Sequence, residues 1–177
     1  MNVFRINFDE IYRRHLRRHG HFGINILHLL AVVGIYISVF GLAGFVVKLI
    51  DADHAIQILL GLTLPWFLVV GFNVPFRVTV VTGLFVLLLL AGYRVLPEVP
   101  FWMWIILIFA MHRFQQWSHN VYHMHRDMSE FSDKYSKGFV LFVLLLVYEL
   151  PILLNYLLFG RPDWVMGRER IVSPENA

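Results

Sequence analysis

Long apolar runs are the feature that most limits what this chain can fold into. The first extends from about Ile24 to Ile50, and others follow at residues 55–71, 78–93, from about 101 onward, and about 138–159. A helix needs about 20 apolar residues to cross a roughly 30 Å hydrocarbon layer. The chain is also 58% hydrophobic and only 15% charged. We therefore predict an all-α, polytopic membrane protein with four to five transmembrane or re-entrant helices.

The apolar runs also define the predicted organisation. Residues 1–160 form a single helical membrane domain, in which residues 1–23 are interfacial, and residues 161–177 form a polar tail. Within the interfacial segment, residues 7–19 read as an amphipathic helix whose apolar side chains lie against the membrane; these are Phe8, Ile11, Tyr12 and Leu16. The second and third runs read as a tight hairpin, and Trp102 and Trp104 as an interfacial belt. The arginine-rich N-terminal segment has no apolar h-region, so no signal peptide is predicted.

Charge sets the predicted orientation. Arginines that precede a first span usually stay in the cytoplasm, so we expect an integral membrane protein with a cytoplasmic N-terminus. Five spans would place the tail arginines, such as Arg161, on the opposite side, unless the segment around Pro151 re-enters instead of crossing. The net charge is only +3 and the basic residues sit mainly at span ends, which gives nucleic-acid binding little support. The oligomeric state is left open.

Eight of the nine histidines border the apolar runs in two clusters. The first cluster is His15, His19, His21 and His28, and the second is His112, His119, His123 and His125. Imidazoles near lipid need partners, so this concentration predicts a metal site at the membrane edge. The chain has no cysteine, which leaves imidazole, carboxylate, amide or water as ligands. With a cytoplasmic N-terminus, five spans place both clusters on the cytoplasmic face.

Helical spacing limits which histidines can share an ion. His15 with His19, and His119 with His123, are four residues apart and lie on one helix face. A longer stripe covers about 16 Å, too long for one ion; it comprises His112, Gln116, His119 and His123. A similar face in the first cluster comprises His21, Asn25 and His28. The residues of these faces that do not bind directly are candidates for supporting partners or a second metal, as are His15 and His125.

The relation of His19 to His28 requires a break in the helix. In one continuous helix the two imidazoles would lie on opposite faces, so they reach one centre only if the chain bends near Gly20 or Gly23. Two readings without metal remain: a solvated interfacial helix for His15 and His19, and a polar network for His119 and His123. His54, beside two aspartates, reads as a surface residue.

The motifs around the histidines resemble those of the Mpo1-like (DUF962) family of small membrane proteins. Leu16-Arg17-Arg18-His19, followed after nine residues by His28, is similar to the family's opening motif. The sequence Trp117-Ser118-His119-Asn120-Val121-Tyr122-His123 is similar to its later Gly-His-x-x-x-Glu element, with Arg126 at a following basic position. Ser118 and His123 depart from that element, because they replace a glycine and a glutamate.

The resemblance implies an iron(II)-dependent dioxygenase that uses dioxygen to shorten 2-hydroxy fatty acids by one carbon. His19, His28 and His119 would bind Fe(II). His123 occupies the position of the family's glutamate but differs from it in residue type. Arg126 or an N-terminal arginine would hold the substrate carboxylate. Glu149, a lone carboxylate in an apolar span, is a second candidate catalytic residue, although pairing with an arginine or histidine for stability is an equal alternative.

Chemistry and composition leave other functions open. Dioxygen chemistry on acyl C–H bonds favours iron, whereas hydrolysis at a lipid headgroup would favour zinc. Eight clustered imidazoles also fit a di-iron lipid hydroxylase or desaturase. A third reading is a non-catalytic membrane protein, such as a transport subunit or a haem-binding module.

Overall fold

A computed structural model describes residues 6–122 and 139–160, and within these ranges the protein is all-helical. The six helices of the described residues are α1 (Phe8–Arg18), α2 (Phe22–Ile50), α3 (Ala55–Asn73), α4 (Phe76–Arg94), α5 (Phe101–Val121) and α6 (Phe139–Phe159). The predicted fold class is confirmed. The predicted hairpin corresponds to α3 and α4, which are joined at Val74 and Pro75.

Three of the described helices, α2, α3 and α4, are long and apolar enough to cross a membrane. Helices α5 and α6 each contain 21 residues and coincide with the fourth and fifth predicted apolar segments. Helix α2, with 29 residues, is the longest and packs against each of α3, α4, α5 and α6. The chain is therefore a membrane protein built around α2.

Glycines on α2 allow α5 to pack closely against it. A Cβ atom at Gly41 would lie 2.3 Å from ring carbons of Trp104, and one at Gly34 would lie 2.5 Å from Cγ of Met111. Small residues at such contacts let two helices approach within a membrane, where packing drives association. Trp104 is thus buried against α2, in agreement with a core role, whereas Trp102 is half-exposed.

Helix α1 packs against protein with the face that was predicted to meet lipid. The side chain of Asn7 caps the helix by accepting a hydrogen bond from the Glu10 N–H at 3.2 Å. The four apolar residues of α1 are buried in one cluster with residues of α3, α4 and α6, including Val70, Val78 and Tyr148. An amphipathic sequence pattern shows that a face is covered but does not distinguish protein from lipid.

The end of α6 lies at the same end of the bundle as α1. The Tyr156 hydroxyl donates to the carbonyl of Gly20 at 2.7 Å, and the Arg77 guanidinium lies over the Phe159 ring at 4.8 Å. Arg77 begins α4 beside the α3–α4 turn, and Asn73 of that turn accepts a hydrogen bond from the Ile6 N–H. We call this the histidine end. The described part of α6 therefore ends on the histidine side, as in the re-entrant alternative, and the tail from residue 161 lies outside the described residues.

Candidate metal centre

A break between α1 and α2 brings the first two histidines of the centre together. Helix α1 ends at Arg18, His19 caps it by donating its backbone N–H to the His15 carbonyl at 2.8 Å, and α2 begins at Phe22. The predicted bend at Gly20 is thus confirmed. It places the ring centroids of His19 and His28 only 4.7 Å apart.

The third histidine comes from the last turn of α5. The Nε2 atoms of His119 and His19 are 3.3 Å apart, and the ring centroids of His119 and His28 are 5.0 Å apart. One ligand nitrogen from each of the three imidazoles lies within 4.8 Å of the other two. His19 and His28 are buried, at 6% and 3% exposure. The three histidines form a group that can hold a metal ion.

The two closest donor nitrogens have the spacing of two ligands of one metal, and the set of three lies within 4.8 Å. Two imidazole nitrogens bound at about 2.1 Å are about 3.0 Å apart when they meet at a right angle and about 3.4 Å apart at a tetrahedral angle. The observed 3.3 Å between His19 and His119 lies in this range. The Nε2 atom of His28 is buried and has no hydrogen-bond partner in the described part of the chain. An unsatisfied buried polar atom costs about 1–3 kcal/mol, and a bound cation would remove that cost.

Glu149 of α6 supports the orientation of His28. Its Oε1 atom lies 3.2 Å from His28 Nδ1. A neutral imidazole that donates its Nδ1 proton to a carboxylate carries its lone pair on Nε2, which is the usual arrangement behind a metal-bound histidine. The Gln115 amide also donates to Glu149 Oε1. Gln115 Nε2 also lies 3.4 Å from His28 Nδ1, so the three side chains form one network, and Glu149 reaches the centre through His28.

His15 and Asn25 fix the junction that carries His19. Asn25 is fully buried, and its amide donates to the backbone carbonyls of His19 at 2.5 Å and His21 at 2.9 Å. Its Oδ1 atom lies 3.0 Å from Nε2 of His15, whose ring stacks on His19 at 4.4 Å. His15 is only 6% exposed, so the solvated-helix alternative for His15 and His19 is wrong. Both residues contact His19, and their role as supporting partners of a metal ligand stays a prediction.

Two of the predicted histidines lie outside the centre. The exposed ring of His21 lies against Tyr122, with centroids 4.9 Å apart. His112 is also exposed and bonds to Gln116, which accepts from Arg113. Of the described residues of the predicted stripe, His119 alone belongs to the centre, in agreement with a stripe too long for one ion.

Gln115 is the site residue that the sequence analysis missed. It lies four residues before His119 and so shares its helix face. Gln116 is the next residue along the helix, so its side chain points to a different side of α5. The exposed His54 ring bonds to Asp51 at 2.9 Å, in agreement with a surface role. His123, His125 and Arg126 lie outside the described residues.

No family model, no curated protein and no solved structure matches this chain. The resemblance to the Mpo1-like family therefore stays a prediction, carried by the two motifs alone.

Proposed function

We propose that the protein is an iron(II)-dependent membrane dioxygenase that shortens 2-hydroxy fatty acids by one carbon. The observation that carries the proposal is the largely buried group of three imidazoles at the histidine end, in which the Nε2 atom of His28 has no hydrogen-bond partner among the described residues. These three residues are those at which the sequence resembles the Mpo1-like motifs. The membrane setting supports a lipid substrate.

The ligand set supports iron over zinc for this proposal. Three imidazoles without a thiolate suit iron as well as zinc, but only a metal that activates dioxygen can serve an oxidation. When bound, Fe(II) would activate dioxygen and accept the hydroxyl and carboxylate oxygens of the substrate at its open positions. The cofactor identity is part of the proposal.

The side chains of the protein hold this centre in shape. Glu149 keeps the Nδ1 proton on His28, and Gln115 holds Glu149 in place. Glu149 is therefore proposed as a positioning residue and not as a group that touches substrate. Arg126 or an N-terminal arginine would bind the substrate carboxylate, for which a guanidinium offers paired hydrogen bonds.

The proposal is tested by anaerobic Fe(II) loading, incubation with a 2-hydroxy fatty acid and dioxygen, and mass analysis of the products. We expect a fatty acid one carbon shorter. His28→Ala and His119→Ala should each lose bound iron and turnover, whereas the control His54→Ala, at an exposed loop, should keep both. Full activity of His28→Ala would show that the centre is misassigned.

Metal content separates the proposal from its two alternatives. The described residues supply one group of three imidazoles, which favours one metal per chain. A ratio near two irons per chain would instead support a di-iron hydroxylase or desaturase. Absence of bound metal after anaerobic preparation, or a haem absorption band, would favour a non-catalytic cofactor-binding or transport protein.

A further inference from the structure

An apolar cavity of about 220 Å³ lies between α2, α3 and α6. Its walls include Tyr36 and Ala43 of α2, Thr63 and Trp66 of α3, and Leu146 of α6. Helix α6 connects it to the metal centre, because Leu146 precedes Glu149 by less than one turn. The same stretch of α6 thus contacts both His28 and the cavity.

The position of the cavity along α2 places it at the depth of the bilayer interior. Tyr36 is eight residues beyond His28, about 12 Å along the helix axis, and Ala43 is fifteen residues beyond it, about 22 Å. A hydrocarbon layer is about 30 Å thick. With the histidine centre at one membrane edge, the cavity lies near the middle of the hydrocarbon layer, where acyl chains end.

The walls offer few hydrogen-bonding groups to a polar ligand. The only hydroxyl groups among the lining residues belong to Tyr36 and Thr63. The Tyr36 hydroxyl donates to the Leu146 carbonyl at 3.3 Å, and the Thr63 hydroxyl donates to the Leu60 carbonyl at 2.7 Å. Both hydroxyl protons are therefore used within the protein, and the indole N–H of Trp66 is the remaining side-chain donor of the wall. Leu62 and Val39, which also line the cavity, are 60% and 43% exposed, so the cavity opens sideways toward lipid.

We propose that this cavity binds the distal part of the substrate's acyl chain while the carboxylate end lies at the metal centre, and that it sets the preferred chain length. This inference rests on the proposed function. An apolar cavity at hydrocarbon depth, open to the bilayer and with a single available side-chain donor, matches the chemistry of an acyl chain better than that of a polar ligand. A short acyl chain would end before it reaches Tyr36 and would make no contact with the cavity.

Ala43→Phe, which places a ring in the cavity, tests the proposal against Ala91→Phe on the exposed surface of α4. The first readout is kcat/KM for a long-chain and a short-chain 2-hydroxy fatty acid. The second is photolabelling by a long-chain 2-hydroxy fatty acid with a diazirine at its methyl end, mapped by mass spectrometry. Bound iron and thermal unfolding are measured for each variant to verify that it folds.

We expect Ala43→Phe to lower the long-chain to short-chain ratio of kcat/KM at least about tenfold, which corresponds to about 1.4 kcal/mol, and to lose labelling near Thr63 and Leu146. Ala91→Phe should match the unmodified protein. An unchanged ratio in a folded Ala43→Phe, or labelling elsewhere, overturns the proposal. If the unmodified protein turns over no hydroxy acid, the proposed function fails, while labelling still decides whether the cavity binds the chain.

If Ala43→Phe does not fold, Val39→Phe at the cavity mouth replaces it. Its control is Val46→Phe, two turns further along α2.

Discussion

The proton on His28 decides what the centre can bind. Its Nδ1 atom lies 3.2 Å from Glu149, its Nε2 atom is buried, and its ring centroid lies 4.7 Å from that of His19 and 5.0 Å from that of His119. In the tautomer that donates its Nδ1 proton to the carboxylate, the ring presents a lone pair on Nε2 to a cation. Holding that carboxylate matters as much as the histidine itself, and Gln115 is the residue that does so.

Two adjacent glutamines give a matched test of this arrangement. Gln115→Leu removes the donor to Glu149 and should weaken metal binding about 10- to 100-fold, the usual effect of losing a partner behind a ligand. Gln116→Leu removes an outward-facing side chain and should leave metal binding unchanged. Competition with a chelator measures both affinities. Equal affinities of the two variants would show that Gln115 has no part in the centre.

Individual residues also show where sequence reasoning succeeds and where it stops. The opposite faces of His19 and His28 required a bend at the intervening glycines, and this geometric argument was correct. Gln115 was missed because a polar stripe on α5 can be drawn through either glutamine, and only the packing of α5 on α2 and α6 selects one. Helical spacing gives shared faces but not the neighbour of each face.

At the scale of helices, the close contact between α2 and α5 depends on glycines of α2, which have no side chain. A Cβ atom added at Gly41 would lie 2.3 Å from ring carbons of Trp104, whereas one added at Gly61 of α3 would have no neighbouring heavy atom within 4 Å. The two glycines therefore have different reasons to be present. The sequence predicted both helices but gave no sign that Trp104 would pack on Gly41.

Alanine at these two positions should act in opposite directions. Gly61→Ala should stabilise the protein by about 0.5–1 kcal/mol, because alanine favours a helix more than glycine. Gly41→Ala should destabilise it by about 1–3 kcal/mol through crowding against Trp104. Thermal unfolding in detergent measures both changes. A rise in melting temperature for Gly41→Ala would contradict the close contact between α2 and α5.

Because Tyr12 of α1 is buried, the stability of the protein should depend on pH in the alkaline range. Burial, with Tyr156 beside it, raises the pKa of Tyr12 from 10.0 to about 12. A raised folded-state pKa gives stability that is complete below the unfolded-state pKa and is lost as pH rises through the folded-state value. Unfolding should therefore become easier between about pH 10 and pH 12, and Tyr12→Phe should reduce this slope. An equal slope in both proteins would place the alkaline effect elsewhere.

In the whole molecule, the arrangement of the helices makes the two ends of the bundle different from each other. The histidine end contains α1, the α3–α4 turn and the end of α6, and the other end contains the Asp51–His54 loop. Sequence predicted the helices from their apolar runs, but the end at which α6 finishes depended on tertiary contacts of Tyr156 and Phe159.

The absence of cysteine makes the predicted orientation easy to test. Asp9→Cys on α1 and Asp53→Cys in the loop after α2 each introduce a single exposed thiol. With a cytoplasmic histidine end, a membrane-impermeant thiol reagent should label Asp53→Cys in intact cells and Asp9→Cys only after permeabilisation. The reverse pattern would invert the orientation, and labelling of both from one side would show that α2 does not cross.

The three histidines of the centre come from the break after α1, from the start of α2 and from the end of α5, with His19 and His119 a hundred residues apart. A metal bound there would cross-link the first helix of the chain to the far end of α5, and its binding energy would add to the stability of the assembled fold. Cells starved of that metal should therefore degrade the protein faster, so that its abundance follows the metal supply even before activity is measured.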